Sequence, residues 1–385
     1  MIVVTHPTGN AFVRALLHGL DEAGRLERFF TTITDGHRRA YPLPPERIDT
    51  SPARELTRLA LQRLGTPLTA HETGWASVDA VYRALDLRVA EWVRRERPSL
   101  DWVYGYEDGA LETFRTAREA GIRRAYELPI AYWETARRLL REEAARLPDW
   151  EPTLDGNRDS DTKMERKQEE LELADWIICP SPFVLESVPE NARERCIVSR
   201  FGSPPAGPVR EPRREGPLRV LFAGAMTQRK GLADLFEAMK LLLREDIQLL
   251  VMGAPAAPMD FYRKQFPNFT HEPPRSRPRV LELMATCDVL ALPSIVEGRA
   301  LVQQEAMSQG LPLVVTRNAG GEDLIEEGQT GFLVPIRAPE EIAARLARLA
   351  DDRALLDRMS AAARRKAAEY TWESYSAGII AALWP

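Results

Sequence analysis

The chain has 385 residues, 44% of them hydrophobic and 28% charged, which is the make-up of a globular protein long enough to hold two cores. A formal net charge of −5 argues against a nucleic-acid partner. No apolar run approaches the ~20 residues of a membrane-spanning helix, and the N-terminus opens on an apolar strand with no basic, leader-like stretch before it.

Residues 2–5 read as a buried strand that ends in the turn His6-Pro7-Thr8-Gly9-Asn10. A helix follows, with apolar positions Phe12, Val13, Leu16, Leu17 and Leu20 and a stop at Gly24. The pattern predicts further helices over 52–64, over 78–97 (stopped by Pro98) and over 110–120, with residues 35–75 otherwise loop. Residues 101–105 form a strand that enters the loop Tyr106-Glu107-Asp108-Gly109, and 124–129 form another. Strands alternating with helices mean a parallel α/β sheet. Asp108 is placed to cap the helix after it, whereas Glu107 is open to hold a hydroxyl or act as a base.

Residues 132–161 are assigned to the first domain, where position alone would let them shape substrate choice. Their Arg-rich helix 133–147 is expected to face water. Asp159-Ser160-Asp161 has the shape of a metal-binding DxD, but it precedes the helix 163–173 and reads as that helix's N-cap, supplied by Asp161 or Thr162. No metal site is expected. Cys179 and Cys287 lie in apolar strands, Cys196 is the third cysteine, and no zinc spacing occurs, which fits a reducing cytosol.

A weak repeat divides the chain. Asp175 is followed by an apolar strand and Pro180-Ser181, and Asp288 by another and Pro293-Ser294, each after a helix. Two similar domains are expected, over 1–198 and 218–369. The Pro/Gly-rich linker 199–217 joins them, and the apolar tail 370–385 packs back on the first. Ligands of such sheets bind at the carboxyl ends of the strands, so the cleft lies there.

Three loops of the second domain carry candidate chemistry. Gly224 to Gly231 follows a strand and places Arg229 and Lys230 at a helix start, where backbone N–H groups and cations can meet a diphosphate. Ser294 to Glu305 puts Glu297 in a loop and Glu305 on the helix after it, two carboxylates able to accept bonds from sugar hydroxyls. Gly320-Gly321 allows close backbone approach. Phosphate and sugar side by side suggest a nucleotide-sugar site, with Gly9 and Asn10 facing it from the first domain.

These residues resemble the family 4 glycosyltransferases, retaining enzymes of the GT-B fold. Pro293, Ser294, Glu297, Gly298, Glu305, Ala306, Gly310, Pro312, Val314 and Val315 match the donor pattern. Gly224, Lys230 and Gly231 match the second pattern, and Gly320-Gly321, Gly328, Gly331 and Trp372-Glu373 extend the likeness over 218–375. The resemblance implies an α/β GT-B fold of two Rossmann-like domains. It also implies that Glu297 holds the donor sugar, Glu305 the ribose, and Lys230 the diphosphate, with Gly298, Arg299, Ala300 and Leu301 lining the donor loop. Ala225 stands where the family has Arg, with Arg229 as its substitute. Ala300 stands where the loop has a second Gly, and Tyr126-Glu127 where many members have His, a role left to Glu127 or Glu107.

The expected activity is transfer of a sugar, with retention, from a nucleotide-diphosphate sugar to a hydroxyl acceptor on a glycan, lipid or small molecule. No metal and no further cofactor are expected. A cytoplasmic protein is implied, with peripheral contact to the inner membrane face left open. The alternatives are a nucleotide-sugar epimerase or hydrolase, and a binding protein without turnover. Acceptor-dependent release of nucleoside diphosphate separates them.

Overall fold

The computed structural model describes residues 1–34, 41–61, 64–96, 99–208 and 215–385. The expected loop at 35–40, the helix stretch at 62–63, the helix stop at Arg97-Pro98 and linker residues 209–214 lie outside the described residues.

Seven strands, β1 (Ile2–Thr5), β2 (Leu26–Thr31), β3 (Ile48–Thr50), β4 (Trp102–Tyr106), β5 (Arg123–Glu127), β6 (Trp176–Cys179) and β7 (Cys196–Val198), make one parallel sheet in the order β3-β2-β1-β4-β5-β6-β7. Six more, β8 (Leu218–Ala223), β9 (Ile247–Met252), β10 (Phe269–Glu272), β11 (Val289–Leu292), β12 (Leu313–Thr316) and β13 (Gly331–Val334), make a second in the order β10-β9-β8-β11-β12-β13.

The helices of the first half are α1 (Ala11–Glu22), α2 (Pro52–Leu61), α3 (Val78–Glu96), α4 (Leu111–Glu119), α5 (Trp133–Arg146), α6 (Asp161–Leu173) and α7 (Pro182–Ser187). Those of the second are α8 (Leu232–Leu242), α9 (Met259–Gln265), α10 (Arg277–Met284), α11 (Leu301–Ser308), α12 (Pro339–Asp351), α13 (Arg353–Ala368) and α14 (Trp372–Leu383). The central strands are runs of Val, Ile, Leu and Phe buried along their length, as parallel strands covered on both faces must be.

Both sheets reverse direction of growth at one point, between β1 and β4 in the first and between β8 and β11 in the second. A crevice opens at such a switch point. The loops 224–231, after β8, and 293–300, after β11, flank the second one.

The sequence repeat has a structural cause. Asp175 accepts the backbone N–H of Arg124 on the neighbouring strand at 2.7 Å, and Asp288 accepts that of Arg219 at 2.8 Å. Each carboxylate satisfies the N–H of the second residue of a neighbouring strand, the same duty at matching places in the two sheets.

The tail crosses to the first half. Helix α14 lies on α1, with Ile379 and Leu383 fully buried among Val13, Leu17, Leu20 and Trp102, and Trp102 Nε1 donates to the Leu383 carbonyl at 3.0 Å. Linker residues on the way are also fixed, since Ser203 N donates to the Tyr370 carbonyl at 2.9 Å and Gly207 N to that of Ser308 at 3.1 Å. Removing buried methyl groups from this seam leaves a cavity, so Ile379→Ala should cost about 2–5 kcal/mol, read as an earlier urea transition of the first-half core.

Candidate functional site

The two halves meet around Glu297. The carboxylate is 9% exposed and its Oε1 accepts from Arg229 Nη1 at 2.7 Å and Lys230 Nζ at 2.5 Å. The loops that carry the three residues are tied together, because Ile295 N donates to the Arg229 carbonyl at 2.8 Å and Arg229 Nη1 donates to the Val296 carbonyl at 3.0 Å. Burial would raise the Glu297 carboxyl, but Lys230 and Arg229 outweigh it and hold the group below its ordinary range. Two cations and one anion leave a net positive site beside the starts of α8 and α11, whose N-cap residues Gly231 and Ala300 make no side-chain capping bond.

Glycine is required at two places here. Gly231 has φ +76°, and a Cβ on it would lie 2.0 Å from the Pro293 carbonyl oxygen. A Cβ on Gly298 would lie 1.7 Å from the Pro129 carbonyl oxygen of the first half. The Gly298 carbonyl in turn accepts from Ser181 Oγ at 2.6 Å, so the 293–300 loop is pressed against the loops that follow β5 and β6 of the first half. Gly224 lies under the Lys230 side chain, Gly320 packs on the Gly298 carbonyl, and Gly321 on the Gln303 side chain. Ala300 has φ −68° and ψ 106°, backbone that any residue adopts, so the loop keeps its path without glycine there.

Glu305 pairs with Arg277 at 3.0 Å, and burial, only partly offset by that arginine, raises its carboxyl. Asn10 stands at the N-cap of α1 without a capping bond, and the Gly9 carbonyl accepts from Arg14.

Several expected site residues are engaged elsewhere. Arg299 has a fully buried side chain, bound by Asp323 and by Gln304 Oε1 at 3.1 Å, with the guanidinium 5.3 Å from the Tyr370 ring, so it organises the loop from behind. Leu301 packs on the first-half core. Glu107 is 6% exposed and pairs with Lys167 Nζ at 3.0 Å, which places it inside the first half and not as a base in the cleft. Glu127 is 3% exposed beneath α14, beside the Tyr104 and Tyr375 hydroxyls, and burial pushes it from 4.5 up to about 8.

Both expected caps are corrected. Ser160, not Asp161 or Thr162, accepts from Lys163 N and caps α6. The start of α4 is held by Glu170, which accepts the N–H groups of Asp108, Ala110 and Leu111, and by Asp86, which accepts those of Glu112 and Thr113. Asp159 groups with His71 and Glu72 in a spacing that could hold a cation, but Lys163 Nζ already lies 3.1 Å from the same Asp159 oxygen.

The segment 132–161 is the largest correction. It does not stay on the first half. Trp150 is 3% exposed and packs edge-on against Phe261 and Tyr262, at 5.0 and 5.8 Å, in the second core. Glu143, fully buried on the supposedly water-facing α5, accepts from Arg146 at 2.7 Å, from Arg337, and from Gln228 Nε2 at 2.8 Å. Gln228 Nε2 also donates to Asp234 at 2.8 Å, and Gln228 N donates to Thr153 Oγ1 at 3.1 Å. Gln228 immediately precedes Arg229 and Lys230, so a first-half segment braces the cationic loop.

Residues 208–366, which hold that loop and Glu297, match the family described as glycosyl transferases group 1. The match covers about two fifths of the chain, nearly all of it in the second half. A relative named D-inositol 3-phosphate glycosyltransferase, from Arthrobacter sp. (strain FB24), is 32% identical over 173 residues, 42% of this chain and 41% of the relative. The chain thus matches about two fifths of the length of that curated relative. Over the whole chain the likeness is one of fold. Sucrose-phosphate synthase from Thermosynechococcus elongatus superposes with a TM-score of 0.70 at 17% identity, covering 99% of this chain and 97% of that one. Anabaena HepE, solved in complex with UDP and glucose, does so with 0.63 at 14% identity, covering 99% and 98%. The fold is GT-B, two Rossmann-like domains. Within the matched half, the residues on either side of the Arg229–Lys230–Glu297 cluster, Gln228 and Gly298, bind side chains of the first half.

Two measurements test this geometry. Glu143→Ala strands Arg146, Arg337 and Gln228, and should destabilise the protein by about 3 kcal/mol in urea, near the lower end of what removing one partner of a buried ion pair costs. The second concerns pH. A carboxyl raised by folding is protonated in the fold, so Glu127 contributes most stability below its ordinary 4.5 and loses it as pH rises toward about 8. The melting temperature of Glu127→Gln should therefore gain on that of the parent protein as pH rises from 5 to 9; a constant difference would contradict the assignment.

Proposed function

We propose that the protein is a retaining, metal-independent glycosyltransferase that moves a sugar from a nucleotide-diphosphate sugar to a hydroxyl acceptor. The observation that carries this is the Arg229–Lys230–Glu297 cluster, held at the switch point of the matched half and flanked by Gln228 and Gly298, which bind the first half. In the apo chain one carboxylate is shared by two cations, which leaves one positive charge unbalanced. A donor diphosphate offers those cations a stronger anionic partner, and the start of α11, whose N-cap residue Ala300 makes no side-chain capping bond, adds backbone donors. Glu297 is then released toward the sugar hydroxyls, and Glu305 toward the ribose.

The chemistry asks little of a protein base. The C1–O bond to the diphosphate breaks, the acceptor oxygen bonds to C1 from the same face, and its proton passes to the leaving phosphate oxygen. Arg229 and Lys230 stabilise the charge that develops on that leaving group, the type of term that gives the largest single gain in such sites. This division of labour agrees with Glu107 and Glu127 being turned inward. The names of the relatives, a D-inositol 3-phosphate glycosyltransferase and a sucrose-phosphate synthase, support a polyol or sugar acceptor.

A panel of nucleoside diphosphates and their sugars is the direct test. A matching donor at 100 times its Kd should stabilise the protein by about 2.7 kcal/mol in a thermal shift. Lys230→Ala should abolish that shift, and Glu297→Ala should lower acceptor-dependent release of nucleoside diphosphate by ~100-fold or more. Turnover within a few fold of the parent in both variants would reject the roles given, and binding without release would indicate a binding protein.

A further inference from the structure

Strand order places the 293–300 loop, after β11, between the loops that follow β8 and β12. One side chain of the loop reaches each neighbour. Glu297 turns to Arg229 and Lys230 on the β8 side, and Arg299, two residues on, turns to Asp323 on the β12 side. The Arg299 side chain is fully buried, and its guanidinium spends its donors on fixed acceptors. Nη1 and Nη2 grip the two Asp323 carboxylate oxygens at 2.6 and 3.2 Å. Nη1 also meets the Gly320 carbonyl at 3.2 Å, and Nε meets Gln304 Oε1 at 3.1 Å. A planar fork held at both prongs has one geometry, which an ammonium on a flexible stem does not. A buried cation also cannot leave its carboxylate without stranding both charges. The loop therefore has a rigid anchor two residues from Glu297.

The anchor is shared with the linker. Arg200 Nε lies 3.0 Å from Asp323 Oδ2, and this linker side chain is half exposed. Gln304, which holds Arg299 Nε, donates its own Nε2 to the Phe201 carbonyl, one residue further along the linker. Tyr370, where the tail begins, donates its hydroxyl to the Asp323 carbonyl at 3.0 Å and keeps its ring 5.3 Å from the Arg299 guanidinium. Its carbonyl accepts the N–H of Ser203, again in the linker, at 2.9 Å. Burial raises the Asp323 carboxyl, but Arg299, Tyr370 and Arg200 together hold it below its ordinary range. Two of the segments that join the halves, the linker and the start of the tail, thus close on the ion pair that anchors the 293–300 loop.

We propose that Arg299 is a positioning residue for Glu297, and that the Arg299–Asp323–Arg200 chain ties affinity for the donor's sugar to the setting of the linker. The inference rests on the assignment of Glu297 to the sugar and of Arg229 and Lys230 to the diphosphate. Calorimetry on the full chain with UDP and GDP, alone and as their glucose, mannose and N-acetylglucosamine esters, tests it. In the parent, the matching ester binds more tightly than its diphosphate. Arg299→Lys keeps a cation beside Asp323 but loses the fork. It should weaken that ester about tenfold or more and leave the nucleoside diphosphate within about twofold. Arg200→Gln, at a half-exposed position, should weaken the ester about threefold with an unchanged melting temperature, the scale of a partly exposed ion pair. A merely structural role for Arg299 would weaken ester and diphosphate together or change neither, and either result overturns the proposal. An unchanged ester affinity in Arg200→Gln overturns the linker's part. A parent that binds neither diphosphate rejects the nucleotide-sugar function and this proposal with it. A parent that binds a diphosphate but gains nothing from any ester leaves the diphosphate site standing and overturns this proposal.

Discussion

Gln228 Nε2 bridges the Glu143 and Asp234 carboxylates, and Arg146 and Arg337 close the charge around them. Two carboxylates this deep would repel one another and lose their hydration unless cations and donors were fixed beside them. Burial raises Asp234, whereas for Glu143 the arginines and Gln228 outweigh burial and lower it. The cluster draws one carboxylate and one arginine from α5, and the remaining members from the second half. It is satisfied only when the halves are in one relation, which is the registry role best attested for buried ion pairs. The position of Arg229 and Lys230 follows from it, because they continue the chain from Gln228.

The two sheets are built alike, but their helix starts are treated differently. In the first half, the donors at the start of α4 are consumed by Glu170 and Asp86, carboxylates from other helices. In the second half, Gln228 Oε1 accepts the Ala233 N–H at the start of α8 at 2.9 Å, whereas Ala300, the N-cap residue of α11, makes no side-chain capping bond. A protein carboxylate does in one half what a ligand's anionic group would do in the other.

Much of this was legible in residue order. Continuous apolar runs and glycine stops located the central strands, and the spacing of Gly224, Arg229, Lys230, Glu297 and Glu305 located the loops that the fold brings together. What escaped was tertiary. Glu143 and Arg146 read as one more solvent-facing i,i+3 pair on an Arg-rich helix, since nothing local records that Gln228 and Asp234 lie across from them. Asp108 looked like a cap because the true caps are 62 and 26 residues away from the groups they bind. Glu127 read as a site residue because it stands where the resembled family often has His, but it is buried beside Tyr375 of α14, some 250 residues later.

The excursion of residues 133–158 onto the second half also changes how the protein can move. The backbone passes between the halves within α5, again before Asp161, along the linker, and once more before α14. A pair of bodies sewn together by four passes does not swing freely about one pivot. Parting the sheets must either take α5 and Trp150 along with the second half or pull an indole out of its aromatic seat, so the gentler path is a small sliding displacement of packed faces.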